Sequence, residues 1–140
     1  MVDRTLLAKK VAAIRDATER ICSILPRDLD DFQNDRTIRE VVALNLFVAL
    51  QGCIDLASHW VSDAGWDVPP SYRELFVLLA THRVLEPELA NRLVTASGFR
   101  NLVAHQYGAL DWKRVYEVAR HGTNDIDAFC AALAQQANRS

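Results

Sequence analysis

The stretch from Val41 to Trp60 reads V-V-A-L-N-L-F-V-A-L-Q-G-C-I-D-L-A-S-H-W. It lies within a segment from about Asp35 to Ser62 whose apolar residues, among them Ile38, Val42, Leu44, Leu46, Val48, Leu50 and Trp60, exceed a single helical stripe. A helix apolar on more than one side belongs at the centre of a bundle or against a second subunit. Gln51, Asp55 and His59 recur at four-residue steps, which aligns them on one narrow polar strip. That strip is either the solvated edge of the helix or the lining of a cleft or a dimer seam.

On the N-terminal side, Leu6, Leu7, Val11, Ile14, Ala17, Ile21 and Ile24 keep three- and four-residue steps from about Arg4 to Leu25. Asp3 can cap that helix, and Pro26 cannot continue it. Asp28, Asp30 and Asp31 read as a solvated acidic connection. On the C-terminal side, Pro69-Pro70 makes a stiff turn, and Ser71-Tyr72-Arg73-Glu74 fits a capping box opening a new helix. Pro87 suits the first turn of another helix. Asp111 can cap a last helical region running through Val115, Ile126, Phe129 and Leu133, read as one long helix with room for a bend or brief interruption at Gly122-Thr123-Asn124. No alternation of period two appears. The expected architecture is all-α, an up-and-down bundle of about five helices forming one domain over residues 1–140.

Composition narrows the class. Apolar residues make up 50% and charged residues 24% of 140, which suits a soluble globular chain. Asn45, Gln51, Asp55 and His59 break the longest apolar run, so a membrane span is not expected, and no secretory leader is evident. Cys22, Cys53 and Cys130, odd in number and widely spaced, read as reduced core thiols of a cytoplasmic protein. His59, His82, His105 and His121 lack metal-ligand spacing, so neither metal nor cofactor is expected. A formal charge of −2 argues against broad nucleic-acid coating and leaves room for a local cationic cleft.

The chemistry concentrates in G-F-R-N-L-V-A-H-Q-Y, residues 98–107, where a helix is expected to give way to a loop near Gly108. Arg100 carries a planar fork of donors that matches two oxygens of one phosphate. His105 is a side chain that can both take and give a proton near neutrality. Together they can cleave RNA: His105 removes the proton of a ribose 2′-hydroxyl, and Arg100 stabilises charge on the non-bridging oxygens. Asn101, one turn before His105, can orient the ring or bind phosphate. Residues five apart on a continuous helix point about 140° away from each other. Either the helix ends between Arg100 and His105, or a two-fold dimer completes the site, with the second histidine as acid; the dimer is favoured.

The same stretch strongly resembles the R-x4-H-x-Y signature of HepT-like toxins in the HEPN superfamily. Val41–Trp60 is similar to that family's long second helix, and S-Y-R-E-L-F and L-E-P-E-L-A-N-R-L resemble the segments leading into the motif. The resemblance implies a homodimeric, metal-independent endoribonuclease toxin. It also implies a minimal nucleotidyltransferase partner, the MntA-type antitoxin, that silences the toxin by adding AMP to the motif tyrosine. Carried over by position, Arg100 and His105 match the catalytic pair and Tyr107 the AMP acceptor. Asp55 and His59 match polar positions of the second helix without an assigned role. The competing expectations are a non-catalytic module binding a nucleotidyltransferase and nucleotide or RNA, and a purely structural dimerisation domain.

Overall fold

The computed structural model describes residues 2–139. Its helices are α1 (Arg4–Ile24), α2 (Leu29–Gln33), α3 (Arg36–Asp63), α4 (Tyr72–Thr81), α5 (Pro87–His105) and α6 (Trp112–Arg139), with a 3-10 turn at Tyr107–Ala109. No strand occurs among the described residues. Helices α1, α3, α5 and α6 alternate up and down. The start of α1 meets the end of α3 through Asp3 N donating to Asp63 Oδ2 at 3.3 Å. It meets the end of α6 through Arg4 Nη2 donating to the Ala137 carbonyl at 2.9 Å. Helix α4 packs on α3 and α5.

The expected boundaries hold where local chemistry sets them. Asp3 Oδ1 accepts from the amides of Thr5 and Leu6, Asp35 Oδ1 from Ile38, and Ser71 Oγ from Glu74. Each satisfies an amide that the first helical turn leaves without an internal partner. Pro87 opens α5. Helix α3 is in contact with every other α-helix, burying Val42, Leu46, Leu50, Cys53, Leu56 and Trp60.

Two expectations need correction, the acidic connection and the burial of Cys22. The acidic connection folds as the five-residue α2, because Phe32 is fully buried against Tyr116 (ring centroids 5.2 Å) and Trp112 (6.4 Å). This raises the number of α-helices to six. Helix α6 runs unbroken past the buried Gly122, as one long helix. Cys22 is exposed, whereas Cys53 and Cys130 are buried; burial pushes the Cys53 thiol well up and that of Cys130 to about 11. Despite its polar breaks, α3 is long and apolar enough by length and composition to cross a membrane; here its inner face forms the bundle core.

The tightest helix approach is α1 on α3. A Cβ on Gly52 would lie 2.6 Å from Ile14 Cγ1, and Ile14 is itself buried. Gly52→Ala gains about 1 kcal/mol of helix propensity but overpacks a branched core side chain, a cost of about 1–3 kcal/mol. Net destabilisation is expected in chemical denaturation. Gly122→Ala, whose Cβ would meet only Val118 Cγ1 at 3.4 Å, is expected to stabilise by up to about 1 kcal/mol.

Candidate functional site

The up-down order brings the start of α3, the end of α5 and the start of α6 to one end of the bundle. Helix α5 does not break before His105: the Gln106 amide still donates to the Leu102 carbonyl at 2.8 Å. Of the two ways to bring Arg100 and His105 together, a helix end between them is therefore excluded. Within one protomer they point about 140° apart. Arg100 is partly buried and His105 exposed. Among the described residues, His105 makes no hydrogen bond, so its ring is unrestrained.

Arg100 is held by neutral groups. Its Nη1 donates to Gln51 Oε1 at 3.0 Å and its Nη2 to Asn101 Oδ1 at 2.7 Å. Gln51 Nε2 in turn donates to Asp55 Oδ1 at 2.9 Å, which fixes the amide with its oxygen toward the guanidinium. Arg100 has no carboxylate partner among the described residues; the two ion pairs there are Arg36–Glu40 and Arg92–Asp125. Arg100 Nε is buried without a partner, as is Ser97 Oγ one turn earlier. An uncompensated, partly desolvated cation whose donors are already aimed is an anion site in waiting.

The polar strip of α3 thus reaches the site through Gln51 and Asp55, while His59 lies away from it, beside Asp3, Leu6 and Trp60. Asn101 was expected to serve His105 or phosphate. Its oxygen is on Arg100 instead.

Tyr107 stands on the 3-10 turn, 43% exposed, with its ring edge-on to Trp112 (5.9 Å, 82°). Sequence reasoning missed what surrounds it. Arg39 lies over the Trp112 ring, its Cζ 5.2 Å from the centroid, and its Nη1 donates to the Gln33 carbonyl. Arg36 Nε pairs with Glu40 Oε1 at 2.7 Å. The phenol pKa is raised above its ordinary value, first by burial and then by the Glu40 carboxylate, with Arg36 and Arg39 pulling the other way. One signal was available: two arginines open α3, at the end where cations oppose the helix dipole, with no acidic residue in the first turn. Among the described residues no cluster of three or more His, Cys, Asp or Glu is placed to hold a metal ion.

Residues 14–133 match the family described as Ribonuclease HepT-like. A curated relative, the mRNA nuclease HepT of Shewanella oneidensis, is 31% identical over 124 residues, 89% of this chain and 92% of the relative. A solved toxin–antitoxin structure with AMP-PNP superimposes with a TM-score of 0.86 at 28% identity, over 94% of this chain and 98% of that one. A second, the tri-AMPylated HEPN toxin of Shewanella oneidensis in complex with its MNT antitoxin, gives 0.85 at 30% identity, over 96% and 99%.

The charges around Tyr107 give a signed expectation. Glu40→Gln removes a repulsive charge and lowers the Tyr107 pKa, whereas Arg36→Gln removes an attractive one and raises it further. Tyrosine-labelled NMR titration reads both; shifts of the same sign would contradict the assignment.

Proposed function

The chain belongs to the HepT-like ribonuclease family, and on that premise we propose that it is a metal-independent endoribonuclease toxin, active as a homodimer and silenced by AMPylation of Tyr107. The observation that carries this is Arg100: a guanidinium aimed by Gln51 and Asn101, with no counter-ion, five residues before an exposed histidine on the same helix. Arg100 holds the non-bridging oxygens of the scissile phosphate. His105 of one protomer takes the 2′-hydroxyl proton as the 2′-oxygen attacks phosphorus. The bond to the 5′-oxygen breaks, and the second protomer's histidine protonates that leaving group. The products carry a 2′,3′-cyclic phosphate and a 5′-hydroxyl.

A second copy is required because α5 turns its arginine and histidine apart. The surface that suits it runs along α3, where Leu44 (60% exposed) and Val48 (43%) continue the strip that ends in Gln51. Leu102, 36% exposed, adds an apolar group on α5 beside the motif. Two-fold docking on that face buries these side chains and places two Arg100–His105 sets around one cleft. A solvent-exposed apolar stripe touching the anion site is what an isologous interface needs.

Regulation follows from Tyr107. Its Oη attacks the α-phosphorus of ATP presented by an MntA-type nucleotidyltransferase, pyrophosphate leaves, and the phenolic proton passes to solvent. The solved relative that is AMPylated and held by its antitoxin supports this. A phosphodiester and an adenosine two residues beyond His105 would then block the cleft and repel RNA.

In chelator, His105→Ala should lower RNA cleavage by about 10²–10⁴-fold and Arg100→Ala by about 10²–10³-fold, read by gel and by cyclic-phosphate ends. Cleavage that survives both assigns the activity elsewhere. Leu44→Glu should give a monomer by sedimentation and abolish cleavage while the fold persists by circular dichroism; an active monomer would remove the dimer cleft. Tyr107→Phe should escape AMPylation by mass spectrometry and stay active beside the transferase and ATP.

A further inference from the structure

Beside Tyr107, the first turns of α3 carry two arginines that the cleavage chemistry does not use. Arg39 lies against Trp112, the ring that Tyr107 meets edge-on, so both side chains converge on the same indole. Its Nε is buried and has no hydrogen-bond partner, and no carboxylate pairs with it among the described residues. Arg36 stands one turn earlier with its side chain 83% exposed, engaged only by Glu40, itself 48% exposed. An exposed i,i+4 pair changes partners readily in water. The shared Trp112 contact sets Arg39 beside the Tyr107 ring, and both guanidiniums and the Glu40 carboxylate act on the phenol electrostatically.

We propose that Arg36 and Arg39 form a phosphodiester subsite beside Tyr107, filled by a flanking phosphate of the RNA in the unmodified protein and by the adenylyl phosphate once Tyr107 carries AMP. The inference rests on the nuclease and AMPylation readings above and says where the adduct acts: on a substrate-binding position next to the catalytic pair. The ligand chemistry is the same in both states, a singly charged phosphodiester with two free oxygens that suits two planar donor forks. Trp112 does not serve as a base-stacking platform. Arg39 covers one of its faces, and Phe32 and Tyr107 hold edge contacts with it. Glu40 opposes entry of an anion and competes for Arg36, so it sets the affinity of the subsite without touching the reacting atoms.

Two exposed substitutions test the proposal, both on the full chain in the His105→Ala background so that RNA is bound and not turned over. With a labelled single-stranded RNA in chelator, Arg36→Gln should weaken binding several-fold and flatten its dependence on log salt by about 0.7, the loss of one phosphate contact. Glu40→Gln should tighten binding. Unchanged affinity and slope in both variants, with unfolding curves like the parent's, would overturn the subsite. For the adduct, protein AMPylated on Tyr107 by a partner transferase is examined by phosphorus NMR; Arg36→Gln should move the adduct resonance. Altered RNA binding with an unmoved resonance would overturn the shared occupancy. The nuclease reading fails separately, if the parent with His105 intact binds this RNA and never cuts it.

Discussion

A continuous α-helix advances about 100° per residue, and α5 stays continuous until His105. That single constraint decides how the motif can be used. One protomer turns Arg100 inward, to Gln51 on α3, and His105 outward, to solvent. No side-chain rotamer of modest cost closes so wide an angle, so the proposed chemistry needs a second chain to supply the missing half. On the proposed reading the exposed apolar residues on the same strip of α3 join the catalytic design: the surface that would bring two copies together begins where Arg100 is held.

Arg100 shows how stability is set against use. A carboxylate in place of Gln51 would pair with it and stabilise the bundle, yet it would also neutralise the charge that phosphate must find. Gln51 instead passes the field of Asp55 through an amide, close enough to orient the guanidinium and too far to cancel it. Buried donors left unmade, Arg100 Nε among them, each cost about 1–3 kcal/mol. Such a cost is tolerable in a bundle whose central helix touches all the others. Net charge conceals this arrangement: a chain at −2 still leaves Arg100 and Arg39 without a carboxylate partner among the described residues.

Much of the fold was legible because helices announce themselves locally. The steps of Leu7, Ile14 and Ile21, the caps at Asp3 and Ser71, and Pro87 at the start of α5 each act within a turn or two of the chain. Helix α2 was not legible, since five residues hold no period and its reason to fold is Phe32 meeting residues about eighty positions away on α6. In the candidate site, Arg100 and His105 stood out by residue chemistry, and Tyr107 only through the resemblance to the family signature. Arg36 and Arg39 could not be joined to Tyr107 until Trp112 brought the start of α6 back to the start of α3.

The same distinction bears on why a modification at Tyr107 would be an effective switch. A tyrosine on a short turn costs the core little, so it can be exposed to a partner enzyme without loosening the bundle. On the proposed reading its surroundings suit an anion: Arg36 and Arg39 stand at the start of α3, where cations oppose the dipole, and Glu40 pairs with Arg36 and leaves Arg39 without a carboxylate. On that reading RNA would occupy the position transiently and an attached AMP would hold it. An inhibitor tethered at the substrate's own position has an effective concentration that free RNA cannot match, so one covalent bond outside the proposed catalytic pair would suffice to hold the site closed.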